Sequence, residues 1–155
     1  MLQRIQSIYL FLAGLVIFAL FLFPLVHNVS FAAMPSTITV TGVYVQGSVQ
    51  QMHVKPFTAL AIATVIVGLL PIVLVFLYGN RKRQILLCYV YIFLLFGYTY
   101  WQVQSIKELL DISTFKVGNF GIGVLLCPIS IVLVLMAVKA IQRDEKLVRS
   151  ADRLR

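Results

Sequence analysis

Apolar residues gather into four long runs, residues 5–26, 57–78, 85–103 and 120–141, separated by polar segments of unequal length. A helix needs about 20 largely apolar residues to cross the roughly 30 Å of a bilayer's hydrocarbon, and each run meets or approaches that length. None contains an acidic residue, and Lys139, close to the end of the last, is their only cation. The pattern predicts an all-α membrane protein. We expect a bundle of four transmembrane helices forming one integral membrane domain over residues 1–155, with a small β-type outer loop between spans one and two.

That loop, residues 27–56, alternates hydroxyl and β-branched side chains in Thr37-Ile38-Thr39-Val40-Thr41 and resumes in Val43-Tyr44-Val45-Gln46 after Gly42. Gly47 precedes a further run over 48–54. Period-two alternation of this kind, punctuated by glycine, predicts two or three short antiparallel strands. The second outer loop spans 104–119, and a tail covers 142–155. Pro24 should terminate or kink the first helix, and Pro71 should bend the second, freeing a carbonyl for a neighbour or water. Gly118, Gly121 and Gly123 mark the entry to the fourth span. Ala13-Gly14 is a small pair at which another helix could approach. Ala59, Ala63, Thr64 and Gly68 recur at small-xxx-small spacing, which places the second helix at the bundle's centre. Tyr98, Tyr100 and Trp101 fit an aromatic belt at the membrane interface.

Composition reinforces the membrane reading: 61% hydrophobic residues and a mean hydropathy of +0.97 exceed what a soluble core of 155 residues can bury. The net charge of +8 changes meaning with its distribution. The turn Gly79-Asn80-Arg81-Lys82-Arg83-Gln84 and the two chain ends hold ten cations, against Lys55, Lys107 and Lys116 elsewhere. This is the positive-inside pattern, so both termini and the basic turn are expected in the cytoplasm, with a lipid bilayer rather than nucleic acid as the partner. The first run is longer than the roughly 7–15 residues of a signal-peptide core, and reads as a retained span.

Little reactive chemistry is encoded. Cys88 and Cys127 fall at different depths of their spans, too far apart to pair, and read as packing residues. His27 and His53 flank the outer loop without the further ligands a zinc site requires. The spans lack the buried ionisable group typical of ion-coupled transport, and Ser130 has no base to activate it. No cofactor, metal or catalytic residue is expected. In the tail, Leu147 and Leu154 recur at helical spacing beside Arg143, Lys146, Arg149 and Arg153, and these six are the candidate contacts for a membrane-protein partner or lipid. The expected function is a non-enzymatic scaffold or accessory subunit that presents the outer loop and the basic tail. The alternative is a small carrier or channel for an apolar or zwitterionic solute. A polar path of Thr58, Thr64, Tyr98, Thr99 and Ser130 facing one cavity would favour the carrier, and a dry, close-packed centre the scaffold.

The opening Met1-Leu2-Gln3-Arg4-Ile5-Gln6-Ser7-Ile8-Tyr9-Leu10, the four apolar runs and the closing Asp144-Glu145-Lys146-Leu147-Val148-Arg149-Ser150-Ala151-Asp152-Arg153-Leu154-Arg155 resemble an uncharacterised family of small four-span membrane proteins from Bacteroidota, a domain of unknown function. The likeness extends over the whole chain, and its end motifs are its specific part. It implies a bacterial inner-membrane location and suggests that the cytoplasmic ends are the characteristic surface. It supplies no activity and no site residues.

Overall fold

A computed structural model of the chain describes residues 3–31, 34–46, 51–77, 80–108 and 119–152. Among these residues there are four α-helices: α1 (Gln3–Phe18), α2 (Thr58–Phe76), α3 (Arg81–Lys107) and α4 (Gly123–Asp152). The strands β1 (Val26–Phe31), β2 (Met34–Thr39), β3 (Gly42–Gln46) and β4 (Gln51–Pro56) form an antiparallel sheet in sequence order between α1 and α2. Among the described residues three helices are long and apolar enough to cross a membrane: Thr58–Phe76, Arg81–Lys107 and Gly123–Leu147. Ile5–Phe21 is a shorter apolar helix.

Packing fixes the arrangement. The helix α1 lies against α2 and α4, and α3 lies against the same two, so the helices follow one another around a square. Facing pairs set the directions: Val67 with Tyr91 and Leu74 with Gln84 across α2 and α3, Arg81 with Asp144 and Gln102 with Cys127 across α3 and α4, Ala13 with Ser130 across α1 and α4. Neighbours are therefore antiparallel. The start of α1, the start of α3 and the far end of α4 share one end of the bundle, and the sheet caps the other. Large apolar side chains cover the outside, Phe93 being 81% exposed. Such a surface suits hydrocarbon rather than water.

The sheet's inner face continues the helical core. Ile38, Val40 and Val43 are buried with Leu25, Val26 and Val29 in the same cluster as Leu20 and Leu60. Thr37 and Thr39 fall on the other face, as the alternation requires. Gly42 turns β2 into β3 at φ 152°, where a side chain would be strained. Just past this turn the Thr41 carbonyl accepts from the Phe57 amide, which anchors the entry to α2.

Several expectations are corrected. The first run, read as a span over residues 5–26, is helical only through a 3₁₀ turn, Ala19–Phe21, and Val26 already belongs to β1. The chain leaves the helix before Pro24 because the Leu25 amide bonds to the Ile38 carbonyl of β2, drawing the backbone into the sheet. Three strands do form where the alternation was read, as β2, β3 and β4, and β1 adds a fourth from residues read as the end of the first run and the start of the loop. In the basic turn, Arg81, Lys82, Arg83 and Gln84 are the first turn of α3, and Asn80 is its N-cap. Cations at a helix N-terminus oppose the helix dipole, and Arg81 is compensated by Asp144 at 3.2 Å. The helix with the broadest packing is α1, not α2. Thr64 and Gly68 do face inward, whereas Ala59 is exposed.

Candidate functional site

The inner face of α3 is set by steps of three and four residues. Gln84, Cys88, Tyr91, Leu95, Tyr98, Gln102 and Ile106 are its buried residues, a spacing that keeps one stripe pointed at neighbouring helices. Four of the seven carry strong hydrogen-bonding groups, which inside a bilayer need partners within the protein.

Tyr91, Tyr98 and Gln102 find them in two sets of bonds, and Gln84 bonds apart from both. In the first, the Cys127 thiol of α4 donates to the Gln102 Oε1 at 3.5 Å, and the Gln102 Nε2 donates to the Tyr98 hydroxyl at 2.9 Å. The Tyr98 hydroxyl meets Thr64 of α2, whose own hydroxyl bonds back to the Leu60 carbonyl at 2.7 Å. Because Thr64 directs its single proton at Leu60, Tyr98 donates to Thr64, and the donors run in one direction from α4 to α2. The second set begins at Pro71. Lacking an amide proton, it leaves the Val67 carbonyl without its helical donor, and the Tyr91 hydroxyl donates to that carbonyl at 3.1 Å. Ser130 stands beside the Tyr91 hydroxyl, and its own hydroxyl donates to the Ala13 carbonyl of α1 at 3.2 Å. Each of these neighbouring hydroxyls spends its proton on a backbone carbonyl, and all four helices contribute to the place where the two stand side by side.

These contacts correct the aromatic belt. Tyr100 and Trp101 are exposed, but Tyr98 is 4% exposed and belongs to the interior. Of the polar path considered for a carrier, Thr64, Tyr98 and Ser130 are buried and bonded within the protein, Thr99 bonds back to the Leu95 carbonyl at 2.8 Å, and Thr58 lies exposed at the start of α2. Sequence reasoning missed Gln84 and Gln102. The signal available was the seven-residue spacing of Gln84, Tyr91 and Tyr98. Gln84 donates from Nε2 to the Leu74 carbonyl at 3.0 Å, and its Oε1 has no partner among the described residues.

The other concentration of chemistry is the basic end. There α4 continues without a break from the apolar segment into the tail, so Arg143, Lys146 and Leu147 stand on its exposed surface. The side chains of Arg149, Arg153 and Leu154 lie outside the described residues. Between α4 and the first turns of α1 runs an open groove of about 570 Å³, into which Lys139, Arg143 and Lys146 project above Ile5 and Met136. Both cysteines are free and buried. His27 is exposed, and the His53 side chain lies outside the described residues. Among the described residues no three His, Cys, Asp or Glu side chains are grouped to hold a metal ion.

Fold and site together define a helical bundle with membrane-length apolar helices, a small sheet at one end and a cationic groove at the other. The chain belongs to the family DUF4293, a domain of unknown function, whose profile matches residues 2–154. No match was found among curated proteins or among solved structures.

Proposed function

We propose that the chain is a non-enzymatic scaffold or accessory subunit of a bacterial inner membrane, crossing it four times with both termini cytoplasmic. The observation that carries this reading is the interior. Thr64, Tyr98, Gln102, Tyr91 and Ser130 are bonded to one another or to backbone, which supports a close-packed strut over a solute path. Four crossings accord with antiparallel neighbours and with the largely apolar segment from Ile5 to Phe21, which gives about 25 Å at 1.5 Å per residue. The orientation follows from charge: Arg81, Lys82, Arg83, Lys139, Arg143 and Lys146 gather at the end opposite the sheet, and cations mark the cytoplasmic side. The sheet then faces the periplasm, and the end of α4 faces cytoplasmic partners.

Two measurements test this. Single-cysteine reporters at Asn80 and Ser48 should label from opposite sides of the membrane; labelling from one side overturns the topology. Purified in mild detergent from native membranes, the chain should bring down a membrane protein at fixed stoichiometry, and the double variant Arg149→Gln, Arg153→Gln should lose it while keeping its topology. A chain that purifies alone and carries a zwitterionic solute across reconstituted vesicles would establish the carrier instead.

A further inference from the structure

We infer that the groove between α1 and the end of α4 is a binding site for one anionic phospholipid of the leaflet at the basic end, an assignment that rests on the membrane reading above. Lys139, Arg143 and Lys146 are spaced by four and three residues, so they fall within about 60° of one another around α4 at roughly 100° per residue. All three are exposed and line the groove. Asp144 lies about 140° around the helix from Lys139 on the same count and pairs instead with Arg81. Among the described residues none of the three cations has an ion-pair partner. Among the described residues the groove's lining therefore carries three positive charges and no carboxylate.

Its other property is a gradient. Met136 lines the inner part together with Tyr9, which stands one turn deeper on the α1 wall than Ile5, while Ile5 lies near the level of Lys139. From Met136 to Lys146 the helix rises about 15 Å, which carries the groove from hydrocarbon, past the headgroup level near Lys139, into water. A free phosphate would use the cations and leave the apolar part empty. An acidic peptide arriving from water would meet Met136 and the Tyr9 ring at a depth that lipid already occupies. A phospholipid with a net negative headgroup satisfies both parts at once, its phosphate among Lys139, Arg143 and Lys146 and an acyl chain passing Ile5 toward Met136 and the Tyr9 ring. The volume of about 570 Å³ is in the range of small-molecule sites, roughly 300–1,000 Å³.

The test counts lipid retained per chain. The full-length protein is loaded from mixed micelles of phosphatidylglycerol and phosphatidylcholine, washed in detergent, and examined by native mass spectrometry. One phosphatidylglycerol should remain bound, phosphatidylcholine should not, and inorganic phosphate should fail to displace it. Removing a cation beside an anionic group lowers affinity about fivefold, so Lys139→Gln with Arg143→Gln should lower retention roughly twenty-fivefold on the same basis. Lys82→Gln with Arg83→Gln, at the same end but outside the groove, should leave it unchanged. Ile5→Trp keeps every charge but fills the groove, and should also expel the lipid. Equal losses in the two double variants would show a diffuse surface potential and overturn the site. Equal retention of phosphatidylcholine, or displacement by phosphate, would overturn it as well. Failure of the topology reporters at Asn80 and Ser48 would overturn the membrane orientation without changing this count, so the two failures are distinguishable.

Discussion

At the sheet end, the chain leaving α1 is joined to the chain entering α4 by backbone. The Gly121 amide donates to the Leu25 carbonyl at 2.8 Å, the Gly123 amide to the Pro24 carbonyl at 3.1 Å, and Val26 pairs with Phe120 beside them. At the basic end the Asn80 amide closes the turn from α2 to α3 on the Leu77 carbonyl at 3.4 Å, and the described ties between one helix and another are made by side chains: the Arg81–Asp144 pair across α3 and α4 and the bond from Gln84 to Leu74. The same four helices thus end in a closed clasp on one side and in an open, charged groove on the other. Backbone ties need close approach and tolerate few residue types. Side-chain ties leave room between helices, and that is where a ligand can enter. The comparison can be broken or sharpened by substitution, beginning where the largest effect is expected.

A Cβ at position 121 would run into the Pro24 carbonyl oxygen, and one at position 123 would lie 2.7 Å from the same atom. Neither obstacle is a side chain that can swing away. Gly121→Ala should therefore cost about 3 kcal/mol or more, combining overpacking with loss of the clasp's hydrogen bonds. Gly97 is the control, because nothing lies within 4 Å of a Cβ built there. Gly97→Ala should be neutral or slightly stabilising, given the helix preference of alanine. Thermal unfolding in detergent compares the two, and equal midpoints would remove the clasp from the account.

The middle of the bundle comes next. Tyr91→Phe strips the donor from the Val67 carbonyl that Pro71 leaves free, and should cost about 0.6–1.7 kcal/mol, the span of interhelical hydrogen bonds measured in membranes. Pro71→Ala restores a backbone donor to that carbonyl, so in its background Tyr91→Phe should cost less. A double-mutant cycle that shows no coupling would mean that the tyrosine does not act through the proline's orphaned carbonyl.

How far the sequence foretold these regions depends on whether the signal was local. The helical runs were legible because their apolar residues are contiguous, and the sheet's faces because Ile38 and Val40 alternate with Thr37 and Thr39. The clasp was half legible: Gly121 and Gly123 announced a boundary, but not that Pro24 would lie against them, since that contact joins segments about 100 residues apart. The strand β1 was hidden because Val26 extends an apolar run that reads as helix. The interior was obscured for another reason. An aromatic or glutamine in an apolar run can face lipid, the interface or the core, and only the seven-residue spacing of Gln84, Tyr91 and Tyr98 distinguishes them. For the groove, the stripe of Lys139, Arg143 and Lys146 is written in α4, but its apolar wall comes from α1 and needs the fold.

Smaller effects belong to the basic end. Arg81 and Asp144 sit partly exposed, with 28% and 13% of their side chains accessible. Pairs of this kind contribute about 0–1 kcal/mol, so Arg81→Gln should lower stability by no more than that. The difference from wild type should shrink as salt is added, because partly exposed charges are screened. A loss as large as that of Gly121→Ala, or one insensitive to salt, would mean that this pair closes the basic end as firmly as backbone closes the other.

The smallest net effect, and the one whose sign is most telling, is expected at Gln84. Its side chain is fully buried, yet only Nε2 is bonded, to the Leu74 carbonyl, and that carbonyl already accepts from the Leu77 amide at 3.3 Å. Gln84→Leu forfeits one interhelical bond, about 0.6 kcal/mol on average in membrane proteins, without orphaning its acceptor. It also removes Oε1, a buried acceptor with no partner among the described residues, whose desolvation costs about 1–3 kcal/mol. The second term exceeds the first, so Gln84→Leu should leave stability unchanged or raise it slightly, the opposite sign from Tyr91→Phe. Gln84→Glu retains the shape but introduces a carboxyl group that must either ionise in an apolar surround or bind a proton, and should destabilise more as pH rises. Unfolding midpoints for both variants across a pH series decide the matter. If Gln84→Leu falls as far as Tyr91→Phe, the Oε1 atom has a partner in the folded protein, and the basic end is more tightly built than its open groove implies.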